Sequence, residues 1–513
     1  MSSFLRRAKV ITAAALASLL CSDAAQSEEW PQFRGPGSTG ATTETALPAT
    51  WSAEEAVGWK AKIPGYAWSS PIIWGDRIYV TTAVSEKTVP PPIQGASSGG
   101  GRGGRGGPGG PGGENGPPGD RGPGGERGPG GPGGRGPGDG PGGPGGPGGP
   151  GGRGGRGGFG GGRNGGAPPD DVYKFELICL DRKTGETLWT KTAEESKAAV
   201  PTHRTNTYAS ETPVTDGERI YAYFGMIGVF AFDMDGKPLW NKKLGVYPMM
   251  NDWGTGSSPS LAGDLLFIQC DNEKESFLVA LDKKTGDEKW RTPRAARSGW
   301  STPFVWKNKS RTEIVTVGTN AAISYDPASG DVLWECSGIE GQSRSSAVGD
   351  EERVYFGTGG GQGPAGPLVA IKAGAKGKFT LAEAGADSPN IAWTAERSGP
   401  PMSSPVLYNG LLYVVDQRGG LFRCHDAATG ELVYRERLEG AGSFTASPWA
   451  YDGKVFCLDE TGQTFVVEAG RSFELLGKNV IDDRFWASPA LAKGLLVLRG
   501  MNELYGINAT GGK

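Results

Sequence analysis

One phrase recurs along the chain and limits what it can fold into. Leu177–Trp189 reads LICLDRKTGETLW and Leu278–Trp290 reads LVALDKKTGDEKW: an apolar strand, Asp, two residues, Thr-Gly, three residues, Trp. Ala322–Trp334 (AISYDPASGDVLW) repeats it, Phe422–Tyr434 (FRCHDAATGELVY) repeats it with Tyr for Trp, and Val229–Trp240 (VFAFDMDGKPLW) is one residue short. Alternating apolar residues make a strand, the Asp side chain can accept from turn amides, and Gly supplies the positive φ that closes a hairpin before the Trp strand. A Trp at one place in every unit belongs between neighbouring units, where its burial contributes about 1.5–3 kcal/mol.

The repeat also disposes of a false lead. Gly357–Lys372 (GTGGGQGPAGPLVAIK) imitates the glycine loop and strand lysine of a protein kinase. No catalytic loop or DFG segment follows, and the gap is too short for two strands and a turn. Aligned on the repeat, PLVAIKAG falls against FLVALDKK, so Lys372 takes the place of Asp282 in a degenerate copy.

A second signal precedes each hairpin. Ser/Thr-Pro tails occur as WSSP (Trp68–Pro71), SETP (Ser210–Pro213), GSSP (Gly256–Pro259), WSTP (Trp300–Pro303), MSSP (Met402–Pro405), TASP (Thr445–Pro448) and WASP (Trp486–Pro489), and RSSA (Arg344–Ala347) is an eighth with Ala for Pro. Each leads into two short strands, so one unit is four antiparallel strands, the unit of a propeller blade. The last unit has no Trp strand, whereas VGWKAKI (Val57–Ile63) is a spare one before the first WSSP. Pairing Trp59 with the strand ending near Asn508 closes a ring and removes two open edges. The expectation is an all-β, eight-bladed β-propeller over 57–513, preceded by an extended segment at 26–56.

Two segments stand outside that pattern. Residues 1–25 carry a basic lead (Arg6, Arg7, Lys9), an apolar run at Val10–Leu20 and small residues before Ala25, which is the form of a signal peptide. Export to the periplasm or envelope follows; Leu20 is larger than lipid attachment at Cys21 usually tolerates, and no later stretch is apolar for the roughly 20 residues a membrane span needs. Residues 97–167 are almost entirely Gly, Pro and Arg, with too few apolar groups to offset ordering entropy, and interrupt blade one between Arg77–Val84 and Tyr173–Leu180 as a mobile tether hanging beside the channel rim. The remaining cysteines, Cys179, Cys270, Cys336, Cys424 and Cys457, form no CxxC and no framework. A formal net charge of −3 gives no global pull toward nucleic acid. A monomer is expected.

These repeats resemble the pyrroloquinoline-quinone (PQQ) type, and WPQFRGPGSTG (Trp30–Gly40) is similar to the opening segment of such propellers. The resemblance implies one of two roles: a quinoprotein alcohol or sugar dehydrogenase, or a non-enzymatic scaffold similar to the BamB component of outer-membrane protein assembly. Family dehydrogenases hold PQQ between a Trp and a vicinal disulfide with calcium and a catalytic Asp. No adjacent cysteines occur here; Cys179 and Cys424 share one repeat position, two before Asp, and read as small buried residues.

The site candidates come from the residue three before each Pro position. Trp68, Ser210, Gly256, Trp300, Arg344, Met402, Thr445 and Trp486 converge on the channel rim if the Ser-Pro strand is innermost. Trp68, Trp300, Arg344, Met402 and Trp486 suit a flat aromatic ligand or a peptide edge; the bland alternative is that they plug the funnel. Asn251 and Asp252 are calcium candidates, since calcium takes clustered oxygens, but an Asp in a turn more often accepts from backbone amides. His203 lies in a polar loop before blade two, and His425 is expected to point outward from a strand end. The reading is a binding or scaffold propeller with an envelope protein or small aromatic ligand as partner. The alternative is a PQQ-dependent oxidoreductase with PQQ and calcium, using the rim Trp residues as a platform and Asp252 as base or calcium ligand.

Overall fold

The computed structural model describes residues 29–53, 55–87, 168–359, 365–385 and 387–509. The signal-like residues 1–25 and the glycine-rich tract 97–167 lie outside them. The described strands form eight sheets in chain order around a ring, seven of four strands and one of five. Blade one comprises Ile72–Trp74, Arg77–Val84, Val172–Asp181 and Thr187–Lys197. Its second and third strands pair out to Val84 and Lys174, so the tract interrupts that hairpin in chain order. Blade eight comprises Ala490–Ala492, Leu495–Arg499, Glu503–Asn508 and the early strand Val57–Lys62. Trp59 lies opposite Gly506 and Lys62 opposite Glu503, so the ring closes as the sequence predicts.

The register explains the repeat. Each Trp faces the residue two before the repeat Asp: Cys179 opposite Trp189, Ala231 opposite Trp240, Ala280 opposite Trp290 and Ser324 opposite Trp334. A small residue there leaves room for the indole, and Cys179 and Cys424 are buried members of that set. The Asp carboxylates hold the hairpin turn: Asp282 accepts from the Lys284 and Thr285 amides at 2.8 and 3.2 Å. The indoles then dock on the next blade. Trp240 donates to the Lys283 carbonyl at 3.1 Å, and a Cβ on Gly286 would meet its ring at 2.6 Å.

Two departures are informative. In blade five, Lys372 sits opposite Arg353 in the third strand, Leu368–Lys372, which places VAIK in the repeat. Its turn is extended, and Gly377–Thr380 leaves to pair in parallel with Val332–Ile339 of blade four as a fifth strand. The second departure corrects the expectation for His425. Its residue is 1% exposed and its Nδ1 lies 3.1 Å from the Gly430 carbonyl oxygen. The position before the repeat Asp is buried in its sister blades too, as Leu180, Phe232 and Leu281 show.

The segment before the ring is a crossing piece. Trp30 bridges Ile73 of blade one, Pro31 accepts from the Thr215 amide of blade two, Arg34 donates to the Pro405 carbonyl of blade six, and Ala41 bridges Ala450 of blade seven. Ile73, Thr215 and Ala450 lie on innermost strands and Pro405 directly precedes one, so these dozen residues traverse the channel axis. Beyond it the Trp51 amide donates to Asn479 and Ser52 bridges Val480 on the outermost strand of blade seven, leading into the closing strand.

Candidate functional site

The Ser-Pro segments meet at the channel, and the structure brings together every rim residue read from the repeat. Trp68, Ser210, Gly256, Trp300, Arg344, Met402, Thr445 and Trp486 line one cavity of about 490 Å³. They wall it rather than fill it. Trp68 and Trp486 stack on each other with centroids 5.0 Å apart and planes 24° apart. Trp68 is locked by donating to the Thr205 carbonyl at 3.0 Å, and Trp300 by donating to the Gly254 carbonyl at 2.7 Å. Each indole is therefore held by a loop of an adjacent blade, a preorganised surface.

Beneath the rim lies a second ring that the motif contains. The Ser or Thr two residues on from each rim residue also lines the cavity: Ser70, Thr212, Ser258, Thr302, Ser346, Ser404, Ser447 and Ser488. The Ser70 amide donates to Thr212 Oγ1 at 2.9 Å, the Thr212 amide to Ser258 Oγ at 2.9 Å, and the pattern continues blade by blade to Ser488 Oγ, seven links in all. The hydroxyl satisfies a backbone donor that would otherwise be unpaired between blades. The sequence signal for this ring is the recurrence of Ser or Thr at one position of all eight segments.

Two loops raise the wall over blades two and three. Asn206 donates through Nδ2 to the Trp253 and Thr255 carbonyls at 2.7 and 3.2 Å. His203 stacks on Trp253 with ring centroids 4.0 Å apart, and its Nδ1 lies 2.7 Å from Thr205 Oγ1. Burial, then the Arg204 charge, lowers its pKa. Asn251 and Asp252 adopt φ of 50° and 57°, a left-handed pair that turns Asn251 toward the cavity. Asp252 is half-buried and outside the lining. Trp253, Asn206, Phe33 from the crossing segment, Gln342 and Arg418 line the cavity and were not read from the sequence.

The electrostatics are one-sided. Arg344 and Arg418 are the ionised side chains of the described lining. Arg344 is half-buried, burial lowers its pKa, and its Nη2 donates to Gln342 Oε1 at 2.9 Å. Two wholly buried guanidiniums sit next to the hydroxyl ring: Arg499 donates to Ser69 Oγ at 2.6 Å, and Arg34 to the Pro405 carbonyl. Burial pulls both down to about 9. Two acids lie behind the rim. Desolvation pushes Glu211 up to about 7, and raises Glu460, whose Oε1 accepts from Thr445 Oγ1 at 2.6 Å.

This donor set can be matched to the groups the repeat family implies. Flat indoles and cations suit a carboxylate-bearing quinone. Calcium needs several oxygen ligands, carboxylates among them. The described lining holds no carboxylate, and no group of three or more His, Cys, Asp or Glu among the described residues is arranged to hold a metal ion. The residues present do not make a calcium centre.

Residues 156–362 and 377–513 match the family model described as outer membrane protein assembly factor BamB. The chain belongs to that family. No curated protein matches it in sequence. Among solved structures it resembles a quinohemoprotein alcohol dehydrogenase from Comamonas testosteroni at 10% identity and TM-score 0.57, covering 97% of this chain and 82% of that one. It also resembles a europium-containing methanol dehydrogenase at 10% and 0.54, covering 93% and 90%. BamB from Moraxella catarrhalis matches at 12% and 0.47, covering 67% and 95%. Likeness at these identities shows the fold, and function is carried by the site. Among the described residues no helix is long and apolar enough to cross a membrane.

Proposed function

We propose that this propeller is exported and acts as a binding or scaffold protein of the cell envelope, engaging its partner through the channel mouth. The observation that carries this reading is the rim itself: eight residues, one from each blade, open onto one cavity, with Trp68 and Trp300 fixed by hydrogen bonds to neighbouring loops. Aromatic anchors held in place before binding are what an interface centre requires. The match to a family model described as an outer membrane protein assembly factor is consistent with an assembly role.

Pull-down from envelope extracts with the purified chain tests it. A specific partner should be recovered by the wild type and lost with Trp300→Ala and Trp486→Ala. Retention of every partner by both variants refutes the rim as the contact. Adding PQQ and calcium in parallel checks the oxidoreductase alternative: alcohol- or sugar-dependent dye reduction would displace the scaffold reading.

A further inference from the structure

A second cavity lies beside the channel, between the loops of blades two and three, and shares only the Thr255–Ser257 side of blade three with the mouth. It measures about 40 Å³; a water needs roughly 10–15 Å³ on that scale, so a small head group fits. Tyr208, Tyr223, Phe224 and Tyr247 wall it with aromatic rings, and Val200, Pro201, Met226 and Met249 add apolar surface.

Three oxygens at this cavity have no hydrogen-bond partner. Gln269 donates through Nε2 to Asp271 Oδ2 at 2.7 Å and to the Val317 carbonyl at 3.1 Å, which fixes the amide. Its Oε1 is left buried and unpartnered, as is Thr202 Oγ1 on the same lining. The third is Glu211 Oε1, behind Gly225 of the lining. A Cβ on Gly225 would stand 3.2 Å from that oxygen and 2.2 Å from Thr255 Oγ1, so the glycine leaves open the space beside the carboxylate.

Charge says what those oxygens lack. Asp271, the carboxylate of the lining, is neutralised by Arg294 at 2.7 and 3.1 Å. Glu211 is 1% exposed, and among the described residues no cationic side chain acts on it. A buried carboxylate without a counter-charge is costly unless something supplies one. Aromatic walls attract cations, and a primary ammonium brings three N–H donors and no acceptor. Calcium or magnesium would ask for about six or more oxygens.

We propose that the pocket between blades two and three takes a primary alkylammonium, its N–H groups on Glu211, Gln269 and Thr202 and its stem along the aromatic wall. That chemistry belongs equally to the lysine side chain of a partner and to a free aliphatic amine. The site is separate from the rim and stands whether or not the rim engages a partner.

The experiment is calorimetric titration of the full chain at pH 8 with n-butylammonium and with N-acetyl-lysine methylamide. The controls are n-butanol, which has no charge, tetramethylammonium, which has no N–H, and sodium and potassium chloride. n-Butylammonium should bind at least tenfold more tightly than any control. A lysine derivative within tenfold of it assigns a partner's side chain; a weaker one assigns a free amine. Glu211→Gln should weaken n-butylammonium at least tenfold while melting no lower than the wild type. Thr202→Val has the same shape and no side-chain hydrogen bond to lose, and should weaken it by a smaller factor. Equal affinity for any control, unchanged affinity in Glu211→Gln, or no binding by either amine overturns the inference.

Discussion

Trp59, from the first strand of the ring, lies opposite Gly506, from the last, and a Cβ on Gly506 would come within 2.1 Å of the indole. The glycine is there for clearance. The same indole donates to the Arg182 carbonyl of blade one at 3.0 Å, so the composite sheet docks on its neighbour as the others do. Gly506→Ala should destabilise by about 1–3 kcal/mol through overpacking. Trp59→Ala should cost about 3–5 kcal/mol through the cavity that it leaves. Urea unfolding midpoints check both, and an unmoved midpoint in either would mean that closure contributes nothing to stability.

The short repeat in blade two makes a sharper comparison. Trp240 donates to the Lys283 carbonyl, whereas the Nε1 of Trp189 is buried with no hydrogen-bond partner. The turn that Trp189 meets, Asp233–Gly236, is one residue short, and its Met234 carbonyl accepts from Arg77 instead. Trp240→Phe should therefore be the more destabilising, by about 0.5–1.5 kcal/mol relative to Trp189→Phe, the worth of one hydrogen bond. Paired denaturation curves decide it.

That difference also shows how far sequence reasoning reached. Asp, Gly and Trp recur because each answers a local demand of one hairpin and its neighbour, so strands, register, the place of VAIK and the closing partner of Trp59 could all be read. The rim was legible because a residue at one position in every blade must meet its equivalents at the axis. Trp253 and Arg418 escaped because they sit on single loops that no other blade repeats. The crossing of Trp30–Ala41 escaped because contacts such as Arg34 with Pro405 join residues hundreds of positions apart, with no period to mark them. His425 escapes for a simpler reason: it adjoins the repeat Asp at a strand end, where an outward direction is expected, yet that position is buried in its sister blades as well.

The hydroxyl ring should be felt in stability. Ser404→Ala removes the acceptor of the Ser346 amide, which lies 2.9 Å from Ser404 Oγ in a buried setting. Leaving that amide unpaired should cost about 1–3 kcal/mol, and amide exchange at Ser346 should quicken. Ser404→Thr keeps the acceptor and should be nearly neutral, since Thr212 and Thr302 already occupy the ring in other blades. Equal melting temperatures for the Ala and Thr variants would mean that the link carries no free energy.

Glu211 replaces the serine found at the equivalent place in blade three, Ser257, and it is buried with Oε1 lacking a hydrogen-bond partner. Desolvation, offset in part by Thr255, raises its pKa from 4.5 to about 7. Between those values the folded state keeps a proton that the unfolded chain has lost, so stability must fall as pH rises across that window. The slope is about 1.4 kcal/mol per pH unit for one group, and the whole contribution is on the order of 3 kcal/mol by pH 8. Glu211→Gln keeps the shape and cannot ionise. It should match the wild type near pH 4.5 and exceed it by about 2–3 kcal/mol at pH 8, with the gap opening between pH 5 and 7. Every other titrating group is common to both proteins, so the difference between their urea midpoints isolates this carboxyl; parallel pH profiles would show that Glu211 ionises freely in the fold.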